Sequence, residues 1–204
     1  MPRTFSLADD YDKALAEAKL ILKSGGTLIY PTDTLYGLGC NAVDKRAVER
    51  IYTIKNREGR KPLSILVSDY AMLLEYCTVS SAQERILHSL LPGPYTFILP
   101  LRKPLPAATG ATVGIRVPEH YFMRQISKEL KMPIVSTSAN LSGEKDAATL
   151  SDVSRPVSSR ADLLIDGGIC LYGKGSTVID LVNMKILRKG AVRKGDKFEW
   201  AEGD

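Results

Sequence analysis

Short β-prone runs alternate with helical segments along this chain, and that alternation restricts the fold more than any other feature. Residues 27–30 form a β-prone run that stops at Pro31. A helix is predicted before it because Leu15, Ala18 and Leu22 recur at helical spacing. Hairpins and crossovers are both predicted farther along, so the pattern predicts a mixed α/β fold with one sheet.

The remaining elements are predicted from capping residues and turn residues. Asp44 caps a second helix, and Ser81 with Glu84 forms a capping box for a third, which stops at residues 92–94. A further helix is predicted at about residues 119–131. The other predicted strands are residues 63–67, 95–101, 112–117, 133–138, 163–166, 177–182 and 185–188, the last two joined by a turn at Asn183-Met184.

Length and composition predict one compact domain. A chain of 204 residues with 44% hydrophobic residues can bury one sizeable core. We expect that domain to span residues 1–190, followed by a polar, poorly ordered tail at residues 191–204. The three cysteines lie far apart and form no C-x-x-C pair, which favours a reducing cytoplasm. No apolar run approaches the ~18 residues of a membrane span, so no membrane association is expected.

Basic residues are concentrated in one segment. Residues 45–61 contain seven basic and two acidic side chains, a surplus of +5 that equals the formal net charge of the chain. One interpretation is an anionic partner, and the other is a solvated helix face.

Several common catalytic and nucleotide-binding motifs are missing. Residues 168–174 have the spacing of a phosphate-binding P-loop, but Gly175 stands where Ser or Thr is needed, and a strand is predicted to follow. The segment 36–42 lacks the third glycine of a dinucleotide fingerprint. Two histidines are too few for a His-rich metal site and give little material for a Ser-His-Asp triad.

Four short loops are rich in glycine and hydroxyl side chains, at residues 31–39, 136–143, 175–180 and 187–190. Backbone N–H groups in such loops can converge on an anion, although each loop alone is also ordinary turn chemistry. Gly37 and Gly39 would let the first loop approach a ligand closely.

Cations accompany these loops. Lys55 and Arg57 lie near a predicted helix end, and Arg116 lies among apolar strand residues. Arginine matches phosphate oxygens bidentately, which suits a polyphosphate ligand. Arg116 needs a partner if it is buried, and the alternative is an outward-facing edge position.

The motifs follow one another in a specific order: P-T-D-T-L-Y-G-L-G from Pro31, K-x-R from Lys55, P-G-P-x-T from Pro92, R-x-P-x-H from Arg116, S-x-S-A-N-x-S-G from Ser136, G-S-T-V-I-D from Gly175 and L-R-x-G from Leu187. This order resembles the YrdC/YciO family of threonylcarbamoyl-AMP synthases, from about residue 25 to residue 190. The resemblance implies a single α/β domain with an open, twisted, mixed sheet, flanking helices and a concave, positively charged site.

The resemblance also implies a reaction. ATP, L-threonine and bicarbonate would be consumed, pyrophosphate would be released, and L-threonylcarbamoyl-AMP would be formed for threonylcarbamoyl-adenosine modification of tRNA. Mg²⁺ would accompany ATP, and no protein-built metal site is expected. The product would pass to a separate tRNA threonylcarbamoyl-transferase complex.

Individual roles follow from the same resemblance. Lys55 and Arg57 are the expected catalytic cations. The expected threonine-binding residues are Thr34, Arg116, Ser136 and Ser176. The expected nucleotide-binding residues are Arg57, Lys61, Thr112, Ser138, Asn140 and Arg188, with Asn140 shaping the S-A-N turn.

Three residues depart from the family pattern. Lys61 replaces an asparagine, Leu66 replaces a histidine that lies by the threonine, and Asp146 replaces a nucleotide-contacting hydroxyl. Asp146 is therefore left out of the expected site.

Two alternatives compete with the synthase. One is a module that binds tRNA or double-stranded RNA through residues 45–61, where Tyr52 is the only aromatic and backbone contact would dominate. The other is a YciO-like paralogue that acts on a different adenylate.

Overall fold

The computed structural model describes residues 2–56, 61–141 and 143–198. The helices in these residues are α1 (Tyr11–Lys23), α2 (Lys45–Ile54), α3 (Tyr70–Tyr76), α4 (Ser81–Leu90), α5 (Tyr121–Leu130) and α6 (Arg155–Ser158). The strands are β1 (Arg3–Ser6), β2 (Thr27–Tyr30), β3 (Gly37–Cys40), β4 (Ile65–Leu66), β5 (Tyr95–Pro100), β6 (Thr112–Arg116), β7 (Ile134–Val135), β8 (Thr137–Ser138), β9 (Leu163–Asp166), β10 (Thr177–Asp180) and β11 (Lys185–Arg188).

The strands form two mixed sheets, with the orders β1-β9-β2-β3-β8 and β11-β10-β5-β6-β4-β7. The mixed α/β prediction is confirmed, but the single sheet is wrong. The run at residues 133–138, predicted as one strand, divides at Ser136. β7 pairs with β4 in the six-stranded sheet, and β8 pairs with β3 in the five-stranded sheet. Ser136 N donates to Ser64 O at 2.8 Å, so the chain is held where it crosses between the sheets.

Two clusters of buried side chains form the core. The larger contains Ile51, Leu73 and Phe97, and the smaller contains Leu22 and Phe122 between α1, α5 and the five-stranded sheet. The larger cluster packs α2, α3 and α4 against the sheets. Burial of these apolar side chains is the main stabilising contribution to such a fold.

Local signals place most of the elements. Asp44 caps α2 as predicted, and its side chain accepts hydrogen bonds from two backbone N–H groups. The capping box of α4 lies one residue earlier than predicted, because Ser80 and Gln83 exchange the two cap bonds. The predictions missed α3, which Asp69 caps, and β1, which pairs with β9.

Gly37 and Gly39 lie in β3, not in a loop, and β3 pairs antiparallel with β2. A Cβ on Gly39 would lie 2.1 Å from Val135 O and 2.9 Å from the Tyr30 ring, and a Cβ on Gly37 would also lie 2.9 Å from that ring. Gly37 also lines the cavity described below, so its expected close approach to a ligand stays a prediction, whereas Gly39 is not among the described residues of that wall. Glycine is favoured at both positions because a Cβ at either one would meet the buried Tyr30 ring.

The polar tail beyond residue 190 contacts the body over its described part, 191–198. Ala191 N donates to Gly175 O at 2.7 Å, and Arg193 donates to Ser89 O at 2.9 Å. The boundary at residue 190 stays a prediction.

Two further findings concern membrane-spanning helices and the cysteines. In the described residues, no helix is both long and apolar enough to span a membrane. The three cysteines are free and buried.

Candidate active site

A cavity of about 380 Å³ opens where side chains from both sheets meet. Each of the four loops predicted from sequence contributes to its wall. Four of its described lining side chains are basic, and one, that of Asp146, is acidic. The fold therefore brings together segments that lie far apart in sequence.

Nine of the expected site residues line this cavity. They are Thr34, Lys55, Lys61, Arg116, Ser136, Ser138, Asn140, Ser176 and Arg188. Arg57 lies outside the described residues.

The structure does not bring Thr112 to this cavity. Thr112 begins β6 and pairs with Pro100, whereas Arg116 ends the same strand at the cavity wall. Four residues of extended strand separate their Cα atoms by about 13 Å. The two side chains share one face of β6, so the assignment of Thr112 to the nucleotide stays a prediction.

Lys55 is 4% exposed and lies directly after α2. Its Nζ donates to Ser138 O at 2.6 Å and to Asn140 O at 2.8 Å. Ser138 Oγ in turn donates to Asn140 Oδ1 at 2.6 Å. The hydrogen bonds of Lys55 and Asn140 therefore fix the S-A-N turn. They also hold the positively charged ammonium of Lys55 at the cavity wall.

Arg116 is buried, so the outward-facing alternative is wrong. Its Nη2 donates to Asp33 Oδ1 at 2.5 Å, and its Nη1 donates to Thr34 Oγ1 at 3.0 Å. Asp33 also accepts the backbone N–H groups of Thr34 and Glu119, each at 3.1 Å. Arg116 is therefore not a free cation, because a buried carboxylate already neutralises it. Its Nε is buried and has no hydrogen-bond partner among the described residues.

Ser176 lies beside two further polar side chains. Its Oγ is 2.9 Å from Thr96 Oγ1, and Arg188 Nη2 donates to the same Oγ at 3.2 Å. Arg188 also donates to Ser176 O from both Nε and Nη2, at 3.2 and 2.9 Å. The guanidinium of the exposed Arg188 is thus fixed against the start of β10.

Sequence reasoning missed four polar residues of this region: Thr32, Asp33, Ser64 and Thr96. Asp33 and Thr96 belong to motifs that carry the family resemblance, but neither residue was predicted to have a role in the site. The signal for Asp33 was the buried arginine itself, because such an arginine requires a nearby carboxylate. Ser64 and Thr96 lie close to the backbone of Gly114. A Cβ at Gly114 would lie 2.5 Å from Ser64 Oγ and 3.3 Å from Thr96 Cγ2.

Two of the departures from the family pattern have clear locations. Leu66 is fully buried and packs in the smaller core cluster, outside the described cavity wall. Asp146 is exposed and lines the cavity, and Asn140 Nδ2 lies 3.4 Å from its Oδ1.

The described cavity wall contains one carboxylate that could take part in binding a metal ion. Among the described residues, no group of three or more His, Cys, Asp or Glu side chains could hold a metal ion. Mg²⁺ at phosphates usually takes one or two carboxylates and keeps water ligands. Asp146 is the described cavity residue with a suitable carboxylate.

Two tyrosines near the cavity remain protonated at neutral pH. Burial raises the pKa of Tyr30 to about 12, although a hydrogen bond with Ser136 and the charge of Arg116 act in the opposite direction. Burial also raises the pKa of Tyr36, whose hydroxyl donates to Gly168 O at 2.9 Å. Both side chains act as neutral hydrogen-bonding groups.

In the described part of the basic segment, residues 45–56 and Lys61, the basic side chains do not form one surface. Lys55 is buried and Lys61 lines the cavity, whereas Lys45 and Arg46 are exposed on α2. Arg50 forms an ion pair with Asp162, with 2.8 Å between Nη2 and Oδ2. The charge surplus is therefore divided between the site and a helix face.

Comparisons with known proteins show which family and fold this chain is similar to. A Methanocaldococcus jannaschii protein, provisionally named threonylcarbamoyl-AMP synthase, is 36% identical over 188 residues, which cover 92% of this chain and 88% of that protein. E. coli YciO has a TM-score of 0.84 and 30% identity, over 96% of this chain and 98% of that one. P. abyssi Sua5 complexed with L-threonine has a TM-score of 0.84 and 29% identity, over 93% of this chain.

The chain spans only 57% of the length of that Sua5 chain. The family model for the Sua5, YciO and YrdC proteins, described as "Telomere recombination", matches residues 20–190. Because this match covers most of the sequence, the chain belongs to the Sua5/YciO/YrdC family.

Proposed function

We propose that this protein is an L-threonylcarbamoyl-adenylate synthase that uses ATP, L-threonine and bicarbonate. The amine of threonine takes up bicarbonate as a carbamate, and water is lost. A carbamate oxygen then attacks the α-phosphorus of ATP, and the bond to the departing pyrophosphate breaks. L-threonylcarbamoyl-AMP and pyrophosphate are the products.

One observation carries the proposal: hydroxyl side chains and cations from four separate loops line one cavity of about 380 Å³. That volume lies in the usual range for small-molecule sites. The reaction needs no protein nucleophile, so the enzyme has to position its substrates and stabilise charge. A wall of fixed hydroxyls and cations suits that task.

We assign the two ends of the reaction to different groups of residues. Thr34, Arg116, Ser136 and Ser176 would hold threonine. Lys61, Ser138, Asn140 and Arg188 would lie around the nucleotide, together with Arg57 by the family resemblance. Lys55 would stabilise anionic groups shared by both substrates, because its ammonium is fixed at the S-A-N turn.

Mg²⁺ on the phosphates of ATP would supply charge neutralisation for the departing pyrophosphate. Asp146 would hold it, as the described carboxylate in the cavity wall. The protein's own cations would neutralise the remaining phosphate charge.

The use of the product and the cellular compartment follow from the same proposal. The product would serve threonylcarbamoyl-adenosine formation on tRNA through a separate transferase complex, in the cytoplasm. The free, buried cysteines are consistent with a reducing compartment.

The decisive experiment mixes the protein with ATP, Mg²⁺, L-threonine and bicarbonate and measures pyrophosphate release and product mass. We expect a threonylcarbamoyl-adenylate that disappears when either threonine or bicarbonate is omitted. ATP binding without this product would refute the synthase and favour a YciO-like activity on another adenylate. The matched variants are Ser176→Ala, expected to weaken turnover, and the exposed Ser89→Ala, expected to leave it unchanged.

A salt series tests the RNA-binding alternative. Retention of tRNA on the protein without ATP consumption would favour that alternative. The exposed Lys45 and Arg46 would then be its phosphate contacts.

A further inference from the structure

We propose that Glu119 and Tyr172 are positioning residues for the threonine side of the cavity, although neither is among the described residues of its wall. They close a ring of hydrogen bonds around Asp33. This inference rests on the proposed function and deepens it, because it names residues away from the cavity on which threonine affinity depends.

Three segments of the chain meet at Asp33. The backbone N–H of Glu119 donates to Asp33 Oδ2 at 3.1 Å, and the backbone N–H of Tyr172 donates to Asp33 O at 2.9 Å. The Tyr172 hydroxyl donates to Glu119 Oε2 at 3.0 Å, which joins these two segments to each other. Asp33 is therefore held at its side chain and at its backbone by two segments that are tied together.

The direction of the bond between Tyr172 and Glu119 is set by the chemistry of the two groups. An ionised carboxylate only accepts hydrogen bonds, so the phenol hydroxyl is the donor. Burial and the hydrogen bond to Glu119 raise the pKa of Tyr172 to about 12. The hydroxyl therefore keeps its hydrogen at neutral pH, and the ring stays closed.

Arg193 holds the same carboxylate from a fourth segment. Its Nη1 lies 3.6 Å from Glu119 Oε1, and its guanidinium also donates to Ser89 O at 2.9 Å and to Pro92 O at 3.1 Å. The side chains of Arg193 and Glu119 are 34% and 28% exposed, so the ion pair alone contributes only about 1 kcal/mol or less. Its effect is on geometry, because the Glu119 carboxylate cannot turn away from Tyr172 without also leaving a fixed guanidinium.

The ring acts on the cavity through Asp33. The Asp33 carboxylate accepts from Arg116 Nη2 at 2.5 Å, and Arg116 Nη1 donates to Thr34 Oγ1 at 3.0 Å. Thr34 also follows Asp33 directly in the backbone. A shift of Asp33 would therefore move two residues assigned to threonine, and a misplacement of about 1 Å can cost about 100-fold in rate.

The nucleotide side of the cavity is held by other contacts. Lys55 Nζ donates to Ser138 O at 2.6 Å and to Asn140 O at 2.8 Å. Neither bond involves Glu119 or Tyr172. Opening the ring should therefore weaken threonine binding and leave ATP binding unchanged, a separation that a general loss of stability would not produce.

The test is a double-mutant cycle in which calorimetry measures the binding of L-threonine and of ATP with Mg²⁺ to the full chain in separate titrations. Tyr172→Phe removes one hydroxyl and should weaken threonine binding about 5-fold, with ATP binding within about 2-fold of wild type. In a Glu119→Ala background, Tyr172→Phe should have no further effect. The matched control is Tyr121→Phe, because Tyr121 is 64% exposed, and it should leave both affinities unchanged.

Variants of Glu119 keep the inference testable if Tyr172→Phe does not fold. Glu119→Gln retains an acceptor oxygen for Tyr172 and should keep threonine affinity within about 2-fold of wild type, whereas Glu119→Ala should lose about 5-fold. Three results would each overturn the inference while the proposed function stands: unchanged threonine affinity, equal losses of threonine and ATP affinity, or an equal loss from Tyr172→Phe in both backgrounds. If the wild type does not bind threonine at all, both fail.

Discussion

The buried ion pair between Asp33 and Arg116 offers the sharpest test of how this site is held together. We consider Asp33→Asn, which keeps the size of the side chain and removes its charge. The side chains of Asp33 and Arg116 are 2% and 7% exposed, so the guanidinium would stay buried without a counter-charge. Breaking a buried pair in this way costs about 3–5 kcal/mol of unfolding free energy.

The hydrogen bonds around Asp33 support that magnitude. Its Oδ1 accepts from Arg116 and from Thr34 N, and its Oδ2 accepts from Glu119 N. An asparagine has one acceptor oxygen and one donor nitrogen at these positions. At least one of the three donors would therefore lose its acceptor, in addition to the loss of the charge.

The measurement is urea unfolding at neutral pH followed by circular dichroism, with Asp10→Asn as the matched control. Asp10 pairs with Lys13 at 2.9 Å, but their side chains are 35% and 75% exposed. An exposed pair contributes about 1 kcal/mol or less. Equal losses in the two variants would refute the reasoning. Adding Arg116→Met to Asp33→Asn should recover part of the stability, because no unpaired charge then remains buried.

Three further expectations follow from the site and its surroundings. Lys55→Met should lower turnover by about 100-fold or more through loss of a fixed charge, while Lys45→Met on the exposed face of α2 should leave turnover unchanged in the same assay. Gly39→Ala should destabilise the protein by about 1–3 kcal/mol because its Cβ would clash with a backbone carbonyl, whereas Gly110→Ala, with no atom within 4 Å, should be neutral in thermal unfolding. Burial lowers the pKa of His120 below its ordinary 6.5, so the unfolded state binds a proton at a higher pH than the folded state does. The free energy of unfolding should therefore fall as the pH drops below about 6.5. Urea unfolding of His120→Asn should lack this part of the pH dependence, and an unchanged pH slope would contradict the assignment.

Much of the local structure was predictable because its causes are local. Helix α2 begins at Asp44, whose side chain caps it, and its apolar residues recur at helical spacing. The hairpin of β10 and β11 turns at Asn183-Met184, where Met184 has a φ of 53°. Neither feature needs information from distant parts of the chain.

The expected site was predictable as a set of residues but not as an arrangement. The motifs named nine side chains that line one cavity, and the structure alone decides which of them touch. Arg116 was expected to bind threonine, yet it already pairs with Asp33, 83 positions away. No periodicity or spacing encodes a contact over that distance, since it depends on how the strands pack.

By itself, the sequence determined the mixed α/β class, most of the helices and the polar residues available for chemistry, because capping, periodicity and turn preferences act over a few residues. Only the tertiary structure decided that residues 133–138 divide between two sheets, that the Tyr30 ring lies against Gly37 and Gly39, and that Asp33 neutralises the buried Arg116. These features arise from strand pairing, packing and hydrogen-bond direction between residues whose neighbours in space are fixed only when the whole core forms.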